Sequence, residues 1–453
     1  MTVKAKRHRP EISPAGRGCT IGAITGIRAT VVIATSLAGL LYASANPAVA
    51  QTMPAGWPST ATIPYNLGGT TSGTYTDSAG KTYDGTGYIV VDIDGAFRTD
   101  NPVFKYKTLQ PVAGYNKVKT EACVGQKTDT QWTGLCPYED ASTWVSRPLP
   151  GKPSAGYYLI TLQNSSMPSD AADNQCRESS NPDNPQYCHY YHGTATSGIM
   201  VGEPTDRWEG TTHLVYTGVA PGAQVIPIRI GGGTGTDGPR GWPINSVVDA
   251  LTYVNNGLMN RTDVNSKIVA VNISASGDPV AGDALCSTDA DGARIDALAA
   301  SLRAKGVAVV MSAGNDGMYA TGNWTCGNNV IVVGATGIVN PTVPTSYTNI
   351  SQKVALFAPV GTADRDSGDF VLAPWAGLGS FYIWGTSFSA PQVAAAFAVL
   401  RQKFGSGPSV SSLVQLMKST GTPITGQRAG FAPAGASVLN IKAALNGTPP
   451  SIK

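Results

Sequence analysis

The sequence predicts an α/β fold of three layers, in which a mostly parallel central sheet has helices on both faces. Strand and helix patterns alternate along the second half of the chain, which is typical of strand, helix and strand units around a parallel sheet. The predicted strands are apolar on both faces, as strands inside a covered parallel sheet are. No linker with a shift in composition divides residues 85–445, so we expect a single domain there.

The composition indicates a loop-rich globular protein with an ordinary charge balance. Charged residues make up 13% of the 453 residues, glycine accounts for 53, and the formal net charge is +3. This length is sufficient for a sizeable core. A nearly balanced charge gives no support to nucleic acid binding, so we expect no nucleic acid partner.

Residues 1–50 have the features of an export signal. Basic residues precede the apolar run Ala29–Leu41, and the small residues Ala48–Ala50 follow it. A membrane anchor is the competing interpretation, but the run is short for a bilayer span of about 20 residues. We therefore predict a signal peptide cleaved after Ala50 and a secreted protein, extracellular or periplasmic, with no membrane association after cleavage.

Six cysteines remain after removal of the signal, and an even number in an exported chain favours three disulfides. No pair has the Cys-x-x-Cys spacing typical of zinc sites, so we expect no metal ligands among them. The sequence does not fix the pairing, and we favour nearest neighbours. The predicted disulfides join Cys123 with Cys136, Cys176 with Cys188, and Cys286 with Cys326.

Two regions near the N-terminus are predicted to lie outside the regular alternation. Residues 51–85 are rich in Gly, Thr, Ser and Pro, which predicts an extended N-terminal segment without a core of its own. Residues 98–191 mix short apolar pieces, turn clusters and four of the cysteines, which predicts an elaborated, disulfide-pinned insertion. Between them, the strong strand Gly87–Asp94 ends in a carboxylate, and open α/β sheets place their chemistry at that end of a strand.

The remaining elements alternate regularly after this insertion. The run His192–Met200 has small residues after a histidine and is predicted as the opening of a helix. Strands are predicted at residues 223–230, 267–274, 307–311 and 330–333, and helices at residues 245–255 and 293–305.

The stretch Gly385–Pro391 leads into a run that is small and apolar on every face, Gln392–Leu400, and this is typical of a buried helix. We predict that the helix begins at or near Ser387, with Pro391 in its first turn, where proline is tolerated. The Ser387 hydroxyl would then lie at the positive end of the helix dipole. Taken alone, Ser387 is equally explained as a helix cap.

Four motifs occur in a fixed order along the chain. They are the apolar strand ending in Asp, then His192-Gly193-Thr194 with Gly198, then Ser312-Ala313-Gly314-Asn315, then Gly385-Thr386-Ser387 with Ala390-Pro391. In these motifs the chain resembles the subtilisin-like serine proteases, or subtilases (peptidase S8 family), over roughly residues 85–445. The resemblance implies a subtilisin-like fold, with a peptidase domain at residues 86–445 and a C-terminal tail at residues 446–453.

The resemblance implies catalytic roles for three of these residues. Ser387 would be the nucleophile and His192 its base, since a serine hydroxyl needs an adjacent group to take its proton. His189 is three residues away, but only His192 is followed by Gly-Thr. Asn315 and the backbone N–H of Ser387 would stabilise the oxyanion.

Two aspartates are candidates for the carboxylate of the triad. We favour Asp94, because Pro102 follows it where the family has a His-Pro or similar pair, although Gly95–Ala96 departs from the residues usual after the catalytic Asp. Asp92 ends the longest apolar run and is the alternative. Both side chains point to the same face of the strand, so Asp92 could instead hydrogen-bond nearby backbone in support of the site.

The resemblance also implies where a substrate would bind. An extended peptide would pair as an added strand with the edges at Ser274–Gly277 and Gly231–Gly233, although the second is explained equally well as a plain loop. Residues Ala275 and Ser276 stand where the family commonly has Leu and Gly, which brings the usual preference for large apolar residues into question. The residues implied to line the specificity pocket are Ser274, Ala275, Ser276, Gly277, Ser312, Ala313 and Gly314.

These observations predict a secreted endopeptidase that is monomeric, acts on polypeptides through an acyl-enzyme and requires no cofactor. Calcium is common in the family, but no Asp-rich loop has calcium-binding spacing, so calcium stays open. The alternatives are a catalytically silent binding protein of the same fold, or acyl transfer to amines, as in a peptide ligase. Residues 51–85 are too few for the family's usual folding-assistant pro-segment, so we expect folding without one or another use of this segment.

Overall fold

A computed structural model of the chain describes residues 67–70, 72–94, 102–104, 189–209, 212–229, 244–281, 287–362, 369–374 and 380–452. The strands are β1 (Tyr75–Thr76), β2 (Thr82–Tyr83), β3 (Ile89–Asp94), β4 (Thr205–Glu209), β5 (Thr212–Tyr216), β6 (Gln224–Arg229), β7 (Ile268–Ile273), β8 (Pro279–Ala281), β9 (Ala308–Ser312), β10 (Ala320–Gly322), β11 (Val330–Thr336), β12 (Val354–Pro359), β13 (Val371–Pro374), β14 (Ser380–Ile383), β15 (Thr422–Pro423) and β16 (Ser437–Val438). The α-helices are α1 (His189–Val201), α2 (Ile244–Asn256), α3 (Ala290–Ala304), α4 (Ala390–Phe404), α5 (Val410–Thr420) and α6 (Ile441–Asn446). Short 3₁₀ turns are at Pro102–Phe104, Leu258–Asn260, Asn323–Thr325, Thr386–Phe388 and Gln427–Phe431.

Eight strands form one sheet in the order β15-β16-β12-β11-β9-β7-β3-β6. Every neighbouring pair from β16 to β6 is parallel, and only β15 runs antiparallel at the edge. Parallel neighbours need crossover connections, and α2 and α3 supply them between β6, β7 and β9. The predicted α/β fold with a mostly parallel central sheet is confirmed.

The two faces of the sheet pack against different helices. In β3, Val90 contributes to the core cluster that contains the apolar residues of α1 and α4. Its neighbours Ile89 and Val91 contribute to the cluster that contains those of α2 and α3. Because side chains alternate along a strand, Asp92 and Asp94 must lie on the same face as Val90, toward α1 and α4.

Helix α4 is buried along most of its length, as the sequence predicts. All its residues from Ala390 to Arg401 are buried. The predicted start near Ser387 is too early for the α-helix, because Ser387 lies in the 3₁₀ turn Thr386–Phe388. In this tighter turn, the N–H of Phe388 donates to the carbonyl of Gly385 at 3.0 Å.

Helix α3 also differs from the prediction at its start. It begins at Ala290, three residues before the predicted start at residue 293. Asp289 caps it, because its side chain accepts a hydrogen bond from the N–H of Gly292 at 2.6 Å. The residues of the first turn carry no apolar pattern, so the predicted start came too late.

The N-terminal segment differs most from its prediction. Strands β1 and β2 pair as a hairpin, and Leu67, Tyr75 and Tyr83 are buried in the same core cluster as α4. Lys403 of α4 also donates to Asp77 at 2.7 Å. The part of residues 51–85 that the structure describes is therefore packed into the core, which its sparse apolar residues did not indicate.

Several predictions fall outside the described residues. They concern the signal peptide at residues 1–50, most of the insertion at residues 98–191, and Cys123, Cys136, Cys176, Cys188 and Cys286. Cys326 is disulfide-bonded, and its pairing with Cys286 stays a prediction. Within the insertion, Val103 and Phe104 are buried in the core. No helix in the described part of the chain combines the length and apolar character that a membrane span needs.

The burial of α4 yields a prediction for stability. Phe397 is fully buried in the helix. Replacing it in Phe397→Ala should lower the free energy of unfolding by about 3–5 kcal/mol, because apolar contacts are lost and a cavity is left. Denaturant unfolding followed by circular dichroism measures this loss.

A matched exposed position provides the control for Phe397→Ala. Val339 is 62% exposed, so Val339→Ala should change the free energy of unfolding by no more than about 0.5 kcal/mol. Equal effects of the two substitutions would contradict the packing of α4 described above.

Candidate active site

Three neighbouring strands bring the predicted site residues to one edge of the sheet. Strands β9, β7 and β3 are adjacent and parallel, so their carboxyl ends lie side by side. Asp94 is the last residue of β3, Ser274 follows β7, and Asn315 lies three residues beyond β9. Residues far apart in sequence thus meet at the edge where parallel sheets carry their chemistry.

His192 and Asp94 form a hydrogen-bonded pair at this edge. The Nδ1 atom of His192, in the first half of α1, is 2.8 Å from Oδ1 and 2.9 Å from Oδ2 of Asp94. The carboxylate is fully buried and the imidazole is 22% exposed. Since an ionised carboxylate only accepts, Nδ1 carries the proton in the neutral ring and Nε2 is left as an acceptor.

Opposing effects act on the pKa of His192. Burial lowers this pKa, whereas the negative charge of Asp94, its hydrogen bond and the charge of Asp92 raise it. The raising effects prevail, and the pKa lies above the ordinary value of 6.5. The imidazolium is therefore stabilised when the ring takes up a proton.

Asp92 has a different set of partners from Asp94. Its Oδ2 accepts from Thr196 Oγ1 at 2.8 Å and from Ser197 Oγ at 2.6 Å, and its Oδ1 accepts from Asn272 Nδ2 at 2.8 Å. Of the two alternatives, the structure places Asp94 against the imidazole. Asp92 supports the site as the sequence suggested, but its partners are side chains, where we expected backbone. Burial and the neighbouring charge of Asp94 raise the pKa of Asp92 to about 7.

Ser387 lies in the 3₁₀ turn that precedes α4. The ring of Phe388, its chain neighbour, packs on the imidazole of His192 with 5.3 Å between ring centroids. The Ser387 hydroxyl donates to the carbonyl of Ser274 at 3.1 Å, and the Ser274 hydroxyl donates to the carbonyl of Ser387 at 2.7 Å. This reciprocal pair fixes the turn to the end of β7.

Asn315 is exposed, and its amide is oriented by Thr386. The N–H of Thr386 donates to Asn315 Oδ1 at 2.8 Å, and the Thr386 hydroxyl donates to the same oxygen at 2.9 Å. A backbone N–H can only donate, so this contact assigns Oδ1 to the side of Thr386 and turns Nδ2 away from it. The Nδ2 atom lies by Gly385, where an added Cβ would be 3.3 Å from it.

The two segments predicted to line the specificity pocket are close together. Ser274, Ser276, Ser312, Ala313 and Gly314 are buried, and Ala275 and Gly277 are partly buried. A Cβ added to Gly314 would lie only 3.1 Å from Ser276 Oγ and 2.4 Å from Asn349 Nδ2, so glycine is required there. Ser276 Oγ therefore lies close to Gly314 of the facing segment, and it donates to the carbonyl of Gly277 at 3.3 Å. Gly231–Gly233 lie outside the described residues.

Four polar residues of the site were not given a role from the sequence: Thr196, Ser197, Asn272 and Thr386. Thr196 lies four residues after His192 on α1, a spacing that places both on one helix face. Asn272 lies two residues before Ser274, a spacing that places both on one face of β7. The sequence therefore contained a signal for Thr196 and for Asn272: each is a polar residue within a run of apolar or small residues.

The sequence predicts that the cysteines in the described part of the chain are not metal ligands, and it leaves calcium open. No group of three or more His, Cys, Asp or Glu side chains there is placed to share an ion. Calcium binding therefore stays an expectation.

Comparisons with known proteins identify a matching family. The model of the subtilase family matches residues 85–433. Among solved structures, the chain is similar to a protease from Pseudoalteromonas arctica PAMC 21717, with 19% identity, a TM-score of 0.48, and coverage of 80% of this chain and 90% of that one. It is also similar to the epidermin leader peptide processing serine protease of Staphylococcus aureus, with 16% identity, a TM-score of 0.48, and coverage of 81% and 77%. No curated protein matched.

The family match covers the strand that ends in Asp94, the start of α1, the loop after β9 and the turn before α4. It thus spans all the elements that carry the Asp94–His192 pair, Asn315 and Ser387. The chain belongs to the subtilase family and is a subtilisin-like serine protease.

Proposed function

We propose that the protein is a secreted endopeptidase that hydrolyses peptide bonds through Ser387, His192 and Asp94. The observation that carries the proposal is the Asp94–His192 hydrogen bond, with the same imidazole packed on Phe388 directly beside Ser387. A neutral imidazole held by a buried carboxylate, near a turn that presents a partly exposed serine, is the arrangement a serine nucleophile needs.

The first chemical step is attack of Ser387 on a substrate carbonyl. Its hydroxyl now donates to Ser274, so rotation about the Cα–Cβ bond redirects the proton to Nε2 of His192. Nε2 takes the proton as the Oγ–carbon bond forms, and the charge of Asp94 stabilises the resulting imidazolium. The same proton then passes to the leaving amine, and water hydrolyses the acyl-enzyme by the reverse sequence.

The oxyanion formed in this step is stabilised from the side of Asn315. Thr386 holds Asn315 Oδ1, so the two protons of Nδ2 are free to point into the site. The N–H of Ser387 is the second donor in this proposal, because it lies in the first turn of the 3₁₀ segment. Donors fixed before the reaction need no reorganisation as the charge develops.

The approach of Ser276 to Gly314 bears on which substrates fit. A Cβ added at Gly314 would lie only 3.1 Å from Ser276 Oγ, so the two segments implied to line the pocket approach each other closely there. We propose that the residue before the cut bond is small, and that the substrate is an extended polypeptide paired with Ser274–Gly277. Secretion rests on the signal sequence at residues 1–50 and on the even number of cysteines after it.

The nucleophile is tested by covalent labelling. We expect an alkyl fluorophosphonate to modify the folded protein at Ser387 in stoichiometric amounts, detected by peptide mass spectrometry, and to abolish peptidase activity. Ser387→Ala should remove both the adduct and the activity, because no other group carries the attacking oxygen.

Ser346, which is exposed, provides the matched control. Ser346→Ala should retain labelling and turnover. Absence of an adduct on the folded wild-type protein would favour a silent binding protein of this fold. Products joined to an added amine, in preference to hydrolysis, would favour peptide ligation.

The oxyanion donor is tested by Asn315→Ala. We expect kcat to fall by roughly a hundred- to a thousand-fold with little change in KM, which is the loss found at the equivalent position in subtilisin. The donor acts only when negative charge develops, so substrate binding is spared.

A second asparagine serves as the control for this substitution. Asn265 is partly buried, donates to the carbonyl of Met259 and precedes β7, at the opposite end of that strand from Ser274. Asn265→Ala should leave kcat unchanged. An Asn315→Ala variant with full kcat would remove Asn315 from the mechanism.

A further inference from the structure

Asp92 is a buried carboxyl group for which the proposed mechanism has no use. Its side chain is fully buried, and it lies two residues before Asp94 on the same face of β3. Burying an ionisable group is costly unless partners compensate it. The cost suggests a role in the site, and its contacts indicate which one.

Hydrogen bonds fix the Asp92 carboxylate from two neighbouring elements. Thr196 and Ser197 donate to it from α1, the helix that carries His192. Asn272 donates to it from β7. Thr196 Oγ1 is also 3.3 Å from Asp94 Oδ2, so one hydroxyl lies between the two carboxylates.

The same network continues to the nucleophile. Asn272 Nδ2 donates to the Ser274 hydroxyl at 2.9 Å as well as to Asp92. The Ser274 hydroxyl in turn donates to the carbonyl of Ser387. The amide orientation of Asn272 therefore depends on Asp92 as an acceptor, and the placement of the Ser387 turn depends on that orientation.

This inference rests on the proposed function. We propose that Asp92 is a positioning residue that acts on both the base, His192, and the nucleophile, Ser387. Its buried carboxylate places a second negative charge behind the Asp94–His192 pair, and through Asn272 and Ser274 it holds the backbone of Ser387. Asp92 itself touches neither the substrate nor the reacting atoms.

The charges around Asp92 decide the sign of its effect. On its own strand the charged neighbour is Asp94, and from α1 it is His192. On one side of β3, strand β7 places Asn272, which does not ionise, against Asp92. On the other side, in β6, Arg229 is paired in register with Asp94. Helix α4 carries Arg401 and Lys403, both in its last turn. Only His192 among these gains a proton during the reaction, so the charge of Asp92 favours that gain.

The pH dependence of activity follows from this charge. The negative charge of Asp92 raises the pKa of His192, and the pKa of Asp92 itself is raised to about 7, so both groups take up protons over one range. Protonated His192 cannot act as the base. The wild-type activity should therefore decline on the acid side over a broad range, because two coupled groups titrate there.

The test compares wild-type protein with Asp92→Asn across pH. The amide keeps the size of the carboxyl group and removes its charge. The acid limb is the fall in activity as the pH is lowered, and it is measured both by kcat/KM and by the rate of fluorophosphonate labelling at Ser387. We expect this limb to move about one pH unit lower in Asp92→Asn and to narrow to a single ionisation. A residue needed only for folding would change stability without moving this limb.

Two further variants keep the test decisive. Ser197→Ala removes the shortest hydrogen bond to Asp92 but leaves the carboxyl group in place. The loss of this donor favours the neutral form of Asp92. The acid limb should therefore move in the same direction as in Asp92→Asn, by a smaller amount. Asp77 provides the matched control, because Lys403 and other partners hold its pKa at about 2 and its contacts are remote from the site. Asp77→Asn should leave the limb in place.

The outcomes separate this inference from the proposed function. If wild-type protein is labelled and active but neither Asp92→Asn nor Ser197→Ala moves the acid limb, Asp92 does not tune His192 and the inference is wrong. If folded wild-type protein is not labelled at any pH, the proposed function fails and this inference fails with it. A shift in both variants and none in Asp77→Asn supports it.

Discussion

The parallel alignment of β9, β7 and β3 is the constraint on which the site depends. It brings the ends of three strands to one edge, and the alternation of side chains then decides what faces α1 and α4. Asp92, Asp94 and Asn272 occupy alternate positions on that face, between apolar residues that fill the opposite core. A shift of one residue in the register of β3 would turn both carboxylates toward α2 and α3 and remove the site.

Most polar groups in this part of the core are compensated by one another, although the buried Oδ1 of Asn272 has no hydrogen-bond partner among the described residues. Asp94 has His192, Asp92 has two hydroxyls and an amide, and Thr386 holds both Asn315 and the N–H of Gly314. Such networks are costly when incomplete and rigid when satisfied, so the same bonds that make burial tolerable also preorganise the reacting groups. Stability and function therefore rest on the same hydrogen bonds here.

Much of the fold and of the site was predictable from the sequence, because long apolar strands and motif residues leave clear local patterns. The choice between Asp94 and Asp92 as the partner of His192 was harder, since both lie on one strand face; the sequence favoured Asp94 only through the spacing of Pro102, and the structure pairs Asp94 with the imidazole. Thr196, Ser197 and Asn272 act through contacts between elements, which no local pattern encodes. Leu67, Tyr75 and Tyr83 were missed because their burial comes from tertiary packing, between turn-forming residues.

The most direct measurement of the central claim is a double-mutant cycle on Ser387→Ala and His192→Ala, with kcat/KM measured against one peptide substrate. Groups that share a proton in one step act as a unit, so the double variant should be about as slow as either single variant. Losses that multiply would show that the serine and the imidazole act independently. That result would contradict the assignment of His192 as the base of Ser387.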